Sequence, residues 1–144
     1  MNGRALSTAP AFQEGPAIVA DGAGGAIVAW QDSRSDTTRG TFRVAKDFAY
    51  DIYSQHVLAS GAVDPAWPAD GRALCTAAEA QLGPTIVGDG AGGAIVTWTD
   101  YRSATNYDVY AQHVLASGAV DAAWHVDARA LRPAGRAEGA PAIA

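Results

Sequence analysis

The chain has 144 residues, 49% of them hydrophobic and 17% charged, with a formal net charge of −5. This is the composition of a soluble globular protein and not of a disordered segment. It lacks the clustered Lys and Arg of a nucleic-acid surface, and no apolar run reaches the length of a membrane span.

In chain order, Asn2 to Thr8 carries the triplet Arg4-Ala5-Leu6, which returns at Arg72-Ala73-Leu74 and marks the end of a repeated unit. A short apolar run, Ala17 to Ala20, reads as a strand. It meets the turn cluster Asp21-Gly22-Ala23-Gly24-Gly25, where glycine supplies the positive φ of a tight hairpin and the aspartate caps the turn. Ala26 to Trp30 is the second strand and Asp51 to Leu58 the third, followed by a turn at Ala59-Ser60-Gly61 and a last stretch at Arg72 to Thr76. No segment shows helical spacing, so the chain reads as all-β.

The same order then begins again. Gly15-Pro16 recurs 68 residues on at Gly83-Pro84, Asp21 to Val28 recurs as Asp89 to Val96, and Gln55 to Asp64 returns unchanged as Gln112 to Asp121. After the second unit Arg72 recurs at Arg129 and Pro84 at Pro141, 57 residues on, so the first unit carries 11 extra residues, all near 35–49. The expected organisation is an end of a preceding repeat at 1–14, unit 1 at 15–82, unit 2 at 83–138 and the start of a third at 139–144. These ragged ends are read either as an excerpt from a longer array or as ends completed by another copy.

The first three strands of each unit are apolar on both faces, as in Ala26-Ile27-Val28-Ala29-Trp30, so both faces must be covered. Four short strands per repeat, stacked face to face, satisfy this as β-propeller blades, with a repeat sandwich or prism as the other arrangement. The pattern Pro-x-Ile-Val, Asp-Gly-x-Gly-Gly, Ile-Val-x-Trp-x-Asp-x-Arg, then Asp-Ile/Val-Tyr-x-Gln, runs through Pro16–Arg34, Asp51–Trp67, Pro84–Arg102 and Asp108–Trp124. It resembles tandem propeller-like repeats of large bacterial extracellular and cell-surface proteins. That resemblance implies a propeller outside the cell and no particular reaction. The Asp-Gly turn before a tryptophan strand is also similar to the Asp-box hairpin of sialidases, but without the serine and spacing of that box.

Trp30, Asp32 and Arg34, and again Trp98, Asp100 and Arg102, are spaced by two and so share one face. With Tyr53 and Tyr110 they read either as packing with an ion pair at the strand end or as a repeated sugar site of aromatic ring and guanidinium. Asp32 with Asp51, and Asp100 with Asp108, are weak calcium candidates because the arginine already supplies a cation, and no zinc set can be drawn from His56, His113 and His125. The insertion, with Arg39, Phe42, Arg43 and Lys46, is the individual feature of unit 1 and a candidate contact for an acidic or glycan partner. Cys75 has no base partner in the sequence and reads as incidental.

No nucleophile elbow, phosphate loop or dinucleotide fingerprint is present, so no catalytic residue and no cofactor is assigned. The expectation is a non-catalytic binding or structural propeller module, with a lectin as its sharpest form. A sialidase- or glycosidase-like enzyme and a purely structural surface repeat are the alternatives. Two units leave two outer faces of roughly 600 to 1,000 Å² each, larger than monomers ordinarily expose. A head-to-tail homotrimer or homotetramer, or the missing blades of a longer chain, would cover them.

Overall fold

The structure, a computed structural model, describes residues 2–37 and 49–132. Eight strands follow one another: β1 (Gln13–Ala20), β2 (Ala26–Asp32), β3 (Asp51–Val57), β4 (Arg72–Cys75), β5 (Gln81–Gly88), β6 (Ala94–Asp100), β7 (Asp108–Val114) and β8 (Arg129–Arg132). They form two four-stranded antiparallel sheets in sequence order, β1-β2-β3-β4 and β5-β6-β7-β8, and there is no helix among the described residues. The all-β expectation holds; β1 and β5 begin at Gln13 and Gln81, ahead of the expected unit starts at 15 and 83. The expected third unit at 139–144 and most of the insertion lie outside the described residues.

Register is the same in both sheets. Trp30 stands opposite Tyr53 and Asp32 opposite Asp51, as Trp98 stands opposite Tyr110 and Asp100 opposite Asp108. The β1–β2 turn is closed by Asp21, whose Oδ1 accepts from the backbone N–H of Ala23 (2.7 Å) and Gly25 (2.8 Å). Asp89 repeats this at 2.7 and 2.9 Å. Each first strand is interrupted by a register shift, between Glu14 and Ala17 in β1 and between Leu82 and Thr85 in β5. Such a bulge bends the strand without ending it, which is why β1 begins before the apolar run that announces it.

The sheets pack with the back of the first against the front of the second. Side chains alternate along a strand, so Ile27 and Ala29 of β2 meet the opposite parity, Ala94, Val96 and Trp98 of β6, in one core that also takes Ile52, Trp67, Leu74, Cys75, Val114 and Ala128. β2 is buried on both faces, with Ile27 and Ala29 at 0% exposure, Val28 at 8% and Trp30 at 4%. The ladder between β3 and β4 also slips by one residue, because Ile52 pairs with Cys75 and Tyr53 with Ala73. The residue left over, Leu74, enters the core. A glycine is required at Gly71, where φ is +102° and a Cβ would lie 2.7 Å from the Trp30 ring.

Asn2 to Thr8 is the repeat equivalent of β4 but forms no strand. A strand needs a neighbour for its ladder, and the third strand that would pair with it is not among the described residues. It lies instead on the front of unit 1, tied at its end by Thr8 N–H, which donates to Asp70 Oδ1 at 2.6 Å.

Candidate functional site

At the end of β2 the backbone turns so that one carboxylate collects four donors. The Asp32 carboxylate accepts from Trp30 Nε1 (2.9 Å), from Arg34 N and Nε (2.9 Å each) and from Arg34 Nη2 (2.6 Å). The guanidinium lies flat on Tyr53, 3.9 Å from the ring centroid, and Tyr53 stacks on Trp30 at 6.4 Å. Unit 2 repeats the cluster with Asp100 under Trp98 and Arg102 at 2.5 to 2.9 Å, and with Arg102 3.7 Å from the Tyr110 centroid. The sequence-predicted residues Trp30, Asp32, Arg34, Tyr53, Trp98, Asp100, Arg102 and Tyr110 therefore come together as two copies of one network.

The two aspartates are at 0% exposure. Burial by itself would raise the Asp32 carboxyl, yet the Arg34 and Trp30 donors outweigh it and hold it below the usual carboxylate range. Bidentate pairing of this kind suits a planar guanidinium.

Each network is finished by the element that precedes it and by the loop leading into its own unit's last strand. Arg34 Nη2 donates to Ser7 Oγ (3.3 Å) and to the Asp70 carbonyl (2.8 Å), and Arg102 Nη2 donates to Cys75 Sγ (3.2 Å) and to the Asp127 carbonyl (2.9 Å). Ser7 and Cys75 are the same repeat position. Cys75 is thus a buried acceptor for a neighbouring unit, and burial pushes its thiol up to about 12, out of the range of a reactive thiolate.

Asp51 stands beside this network at 3% exposure and accepts the Ser35 hydroxyl at 2.5 Å. Burial dominates over that hydrogen bond, and with the nearby Asp32 charge it pushes the carboxyl up to about 6. A raised carboxyl favours the folded state below the unfolded value of 3.8, and that advantage is lost as pH rises through about 6. Asp51→Asn, which mimics the protonated acid, is expected to stabilise the chain by about 1 to 2 kcal/mol at pH 8, a figure discounted for solvent screening. Urea midpoints at pH 8 and pH 3.5 check this: the gain should vanish at the lower pH.

A second repeated cluster was only half visible in the sequence. His56 Nε2 faces Asp21 Oδ2 at 2.9 Å and Nδ1 faces Asp64 Oδ2 at 2.8 Å, while His113 does the same with Asp89 (2.9 Å) and Asp121 (2.8 Å). Trp67 and Trp124 lean against the rings at 5.8 and 5.9 Å. A carboxylate on each ring nitrogen favours the cationic imidazole, the form in which both nitrogens donate. Burial opposes that charge, but the two carboxylates outweigh it and raise both histidines above 6.5. Asp21 and Asp89 were legible as turn caps; their second oxygens were not.

A cavity of about 370 Å³ lies between β4 and the loop leading to β8, lined by Leu74, Thr76, Gln112, Trp124, His125 and Asp127 among others. Another, about 150 Å³, opens beside Leu6, Pro16, Val28 and Trp30. Among the described residues no group of three or more His, Cys, Asp or Glu side chains is arranged to hold a metal ion, and no helix is long and apolar enough to cross a membrane. Arg39, Phe42, Arg43 and Lys46 lie outside the described residues. Tyr50, at the end of the insertion, is buried and donates to Glu14 Oε2 at 3.1 Å. No protein-family model, curated protein or solved structure matches the chain.

Proposed function

We propose that the chain is a non-catalytic structural module of a β-propeller-like array, in which successive four-stranded blades stack and hold one another. The observation that carries this reading is the spending of the same polar groups in both units. Trp30, Asp32 and Arg34, like Trp98, Asp100 and Arg102, satisfy one another and take their last acceptors from the preceding element and from the loop before their own unit's last strand. A sugar site needs donors and acceptors left over for the ligand's hydroxyls, and a glycosidase needs two carboxyl groups that a substrate can reach. Asp32 and Asp51, the unequal pair, are both buried. Placement outside the cell follows from the resemblance to bacterial surface repeats, and any ligand specificity is assigned to the non-repeated insertion.

A glycan array and a panel of chromogenic glycosides test the reading on the full chain. The expected result is no hydrolysis and no glycan retained through the arginine clusters. A glycan bound by the native chain and lost in Arg34→Lys, with its melting temperature unchanged, would replace the structural reading with a lectin.

A further inference from the structure

One contact between units is closed, and its two halves are both repeated on open faces. Where the back of unit 1 meets the front of unit 2, Trp67 Nε1 donates to the Ala116 carbonyl (3.4 Å) and Arg72 Nε to the Gly118 carbonyl (2.6 Å). The hairpin at 115–118 lies so close on Trp67 that a Cβ at Gly118 would come within 2.8 Å of the indole. Leu74 is 3% exposed there, and Ile27 and Ile52 are at 0%.

The back of unit 2 carries the same socket uncovered. Trp124, Arg129 and Leu131 are the equivalents of Trp67, Arg72 and Leu74, yet Leu131 is 54% exposed, Arg129 is exposed and Trp124 is only half-buried. Ile95 and Val109, equivalent to Ile27 and Ile52, are likewise not buried. The front of unit 1 carries the knob uncovered. Leu58-Ala59-Ser60-Gly61 has the sequence of Leu115-Ala116-Ser117-Gly118, but Gly61 is exposed where Gly118 is buried, and Pro16 is exposed where Pro84 is buried. A heterologous contact whose two halves both remain open propagates.

We infer that a second copy of this chain docks the back of its unit 2 onto the front of unit 1. Trp124 and Arg129 of one copy then donate to the Ala59 and Gly61 carbonyls of the other. This rests on the stacking of blades proposed above and adds the partner and the contact residues. Asn2 to Thr8 sits in part of the seat, because Ser7 and Thr8 hold the places that Cys75 and Thr76 hold on unit 2: Thr76 N–H donates to Asp127 as Thr8 N–H does to Asp70. That segment has no ladder, so the strand 129–132 of the incoming copy displaces it and gives up the Arg34–Ser7 hydrogen bond, because the Arg132 side chain at the place of Ser7 has no acceptor to offer.

Sedimentation velocity of the full chain, up to about 1 mM, tests the docking. Association should rise with concentration and weaken at least tenfold in Trp124→Ala and in Gly61→Asn. The second variant suits the test because Asn tolerates positive φ and nothing lies within 4 Å of a Cβ there in the single chain. An equimolar mixture of the two variants keeps one intact knob and one intact socket, so it should form a dimer and nothing larger. Thr8→Pro, which removes the donor to Asp70, should tighten association. A native chain that stays monomeric throughout, or variants that associate as it does, would overturn the docking, and an unchanged Thr8→Pro would overturn the displacement. A glycan signal through Arg34 would sink the structural reading and leave this result untouched.

Discussion

Replacing Asp100 with alanine is expected to lower the unfolding free energy by about 3 kcal/mol. The carboxylate is at 0% exposure and takes the Trp98 indole N–H and three donors of Arg102. Its loss leaves a buried indole N–H, a backbone N–H and a guanidinium without an anion, and desolvated donors left unpaired are costly. The figure sits at the low end of the range for broken ion pairs because the Arg102 side chain is 22% exposed and water recovers part of the loss. Two further variants separate the contributions in urea denaturation. Asp100→Asn should cost less, since an amide oxygen still accepts from Trp98. Asp100→Ala with Arg102→Met should recover much of the loss, because the orphaned charge is gone. A single-variant cost below about 0.5 kcal/mol, the level of an ordinary surface substitution, would mean that the pair is solvated after all.

Stability is expected to decline as pH is raised through neutrality, with an optimum that is mildly acidic. Both histidines are raised above 6.5, so their contribution is fully present below that value and is lost as pH climbs through the folded value. Asp21, Asp64, Asp89 and Asp121 are lowered below 3.8, by hydrogen bonds from the histidines and from turn backbone, so theirs is present above 3.8 and lost as pH falls further. From these groups the plateau lies between roughly 4 and 6, and the raised Asp51, whose advantage is lost between 3.8 and about 6, tilts it toward its acidic end. Solvent screening limits each histidine's share to about 1 kcal/mol or less. His113→Leu removes its share of the slope and leaves Asp89 and Asp121 facing each other with nothing between. Urea midpoints from pH 4 to 9 should be steeper for the native chain than for His56→Leu with His113→Leu. Parallel curves would mean that the rings are neutral.

The strands were legible because each is a compact apolar run between glycine-rich turns, and because everything appears twice. The tryptophan, aspartate and arginine were legible as one cluster because spacing by two needs no knowledge of the partner strand. Tyr53 could be added because it stands two residues from Asp51 as Trp30 stands two from Asp32; the register then sets Tyr53 opposite Trp30 and Asp51 opposite Asp32. The histidine clusters were not legible as clusters. Asp21, His56 and Asp64 lie on three separate stretches and meet only through the pairing of Ile27 with His56 and the return of the chain after β3. Ser7 and Cys75 escaped for another reason. The position holds Ser, Cys and Arg in its three occurrences, and a guanidinium cannot accept, so repetition hid the role that Ser7 and Cys75 share as acceptors from the next arginine. The open faces show what repetition conceals: identical residues are buried in one unit and bare in the other.

The identical registers of the two sheets have a consequence for how the chain reaches its fold. β2 pairs with β3 residue for residue as β6 pairs with β7, and Gln55 to Val57 is the same text as Gln112 to Val114. Local pairing energy therefore hardly separates the correct partner from one displaced by a whole unit, or from one on another polypeptide. Strand exchange between molecules is the failure to which such arrays are prone. What distinguishes the right neighbour is the small set of residues that do not repeat, among them Thr85 and Thr97, whose hydroxyls meet at 2.8 Å where unit 1 has two alanines. Erasing those differences to make two perfect copies would keep both ladders and remove the proofreading.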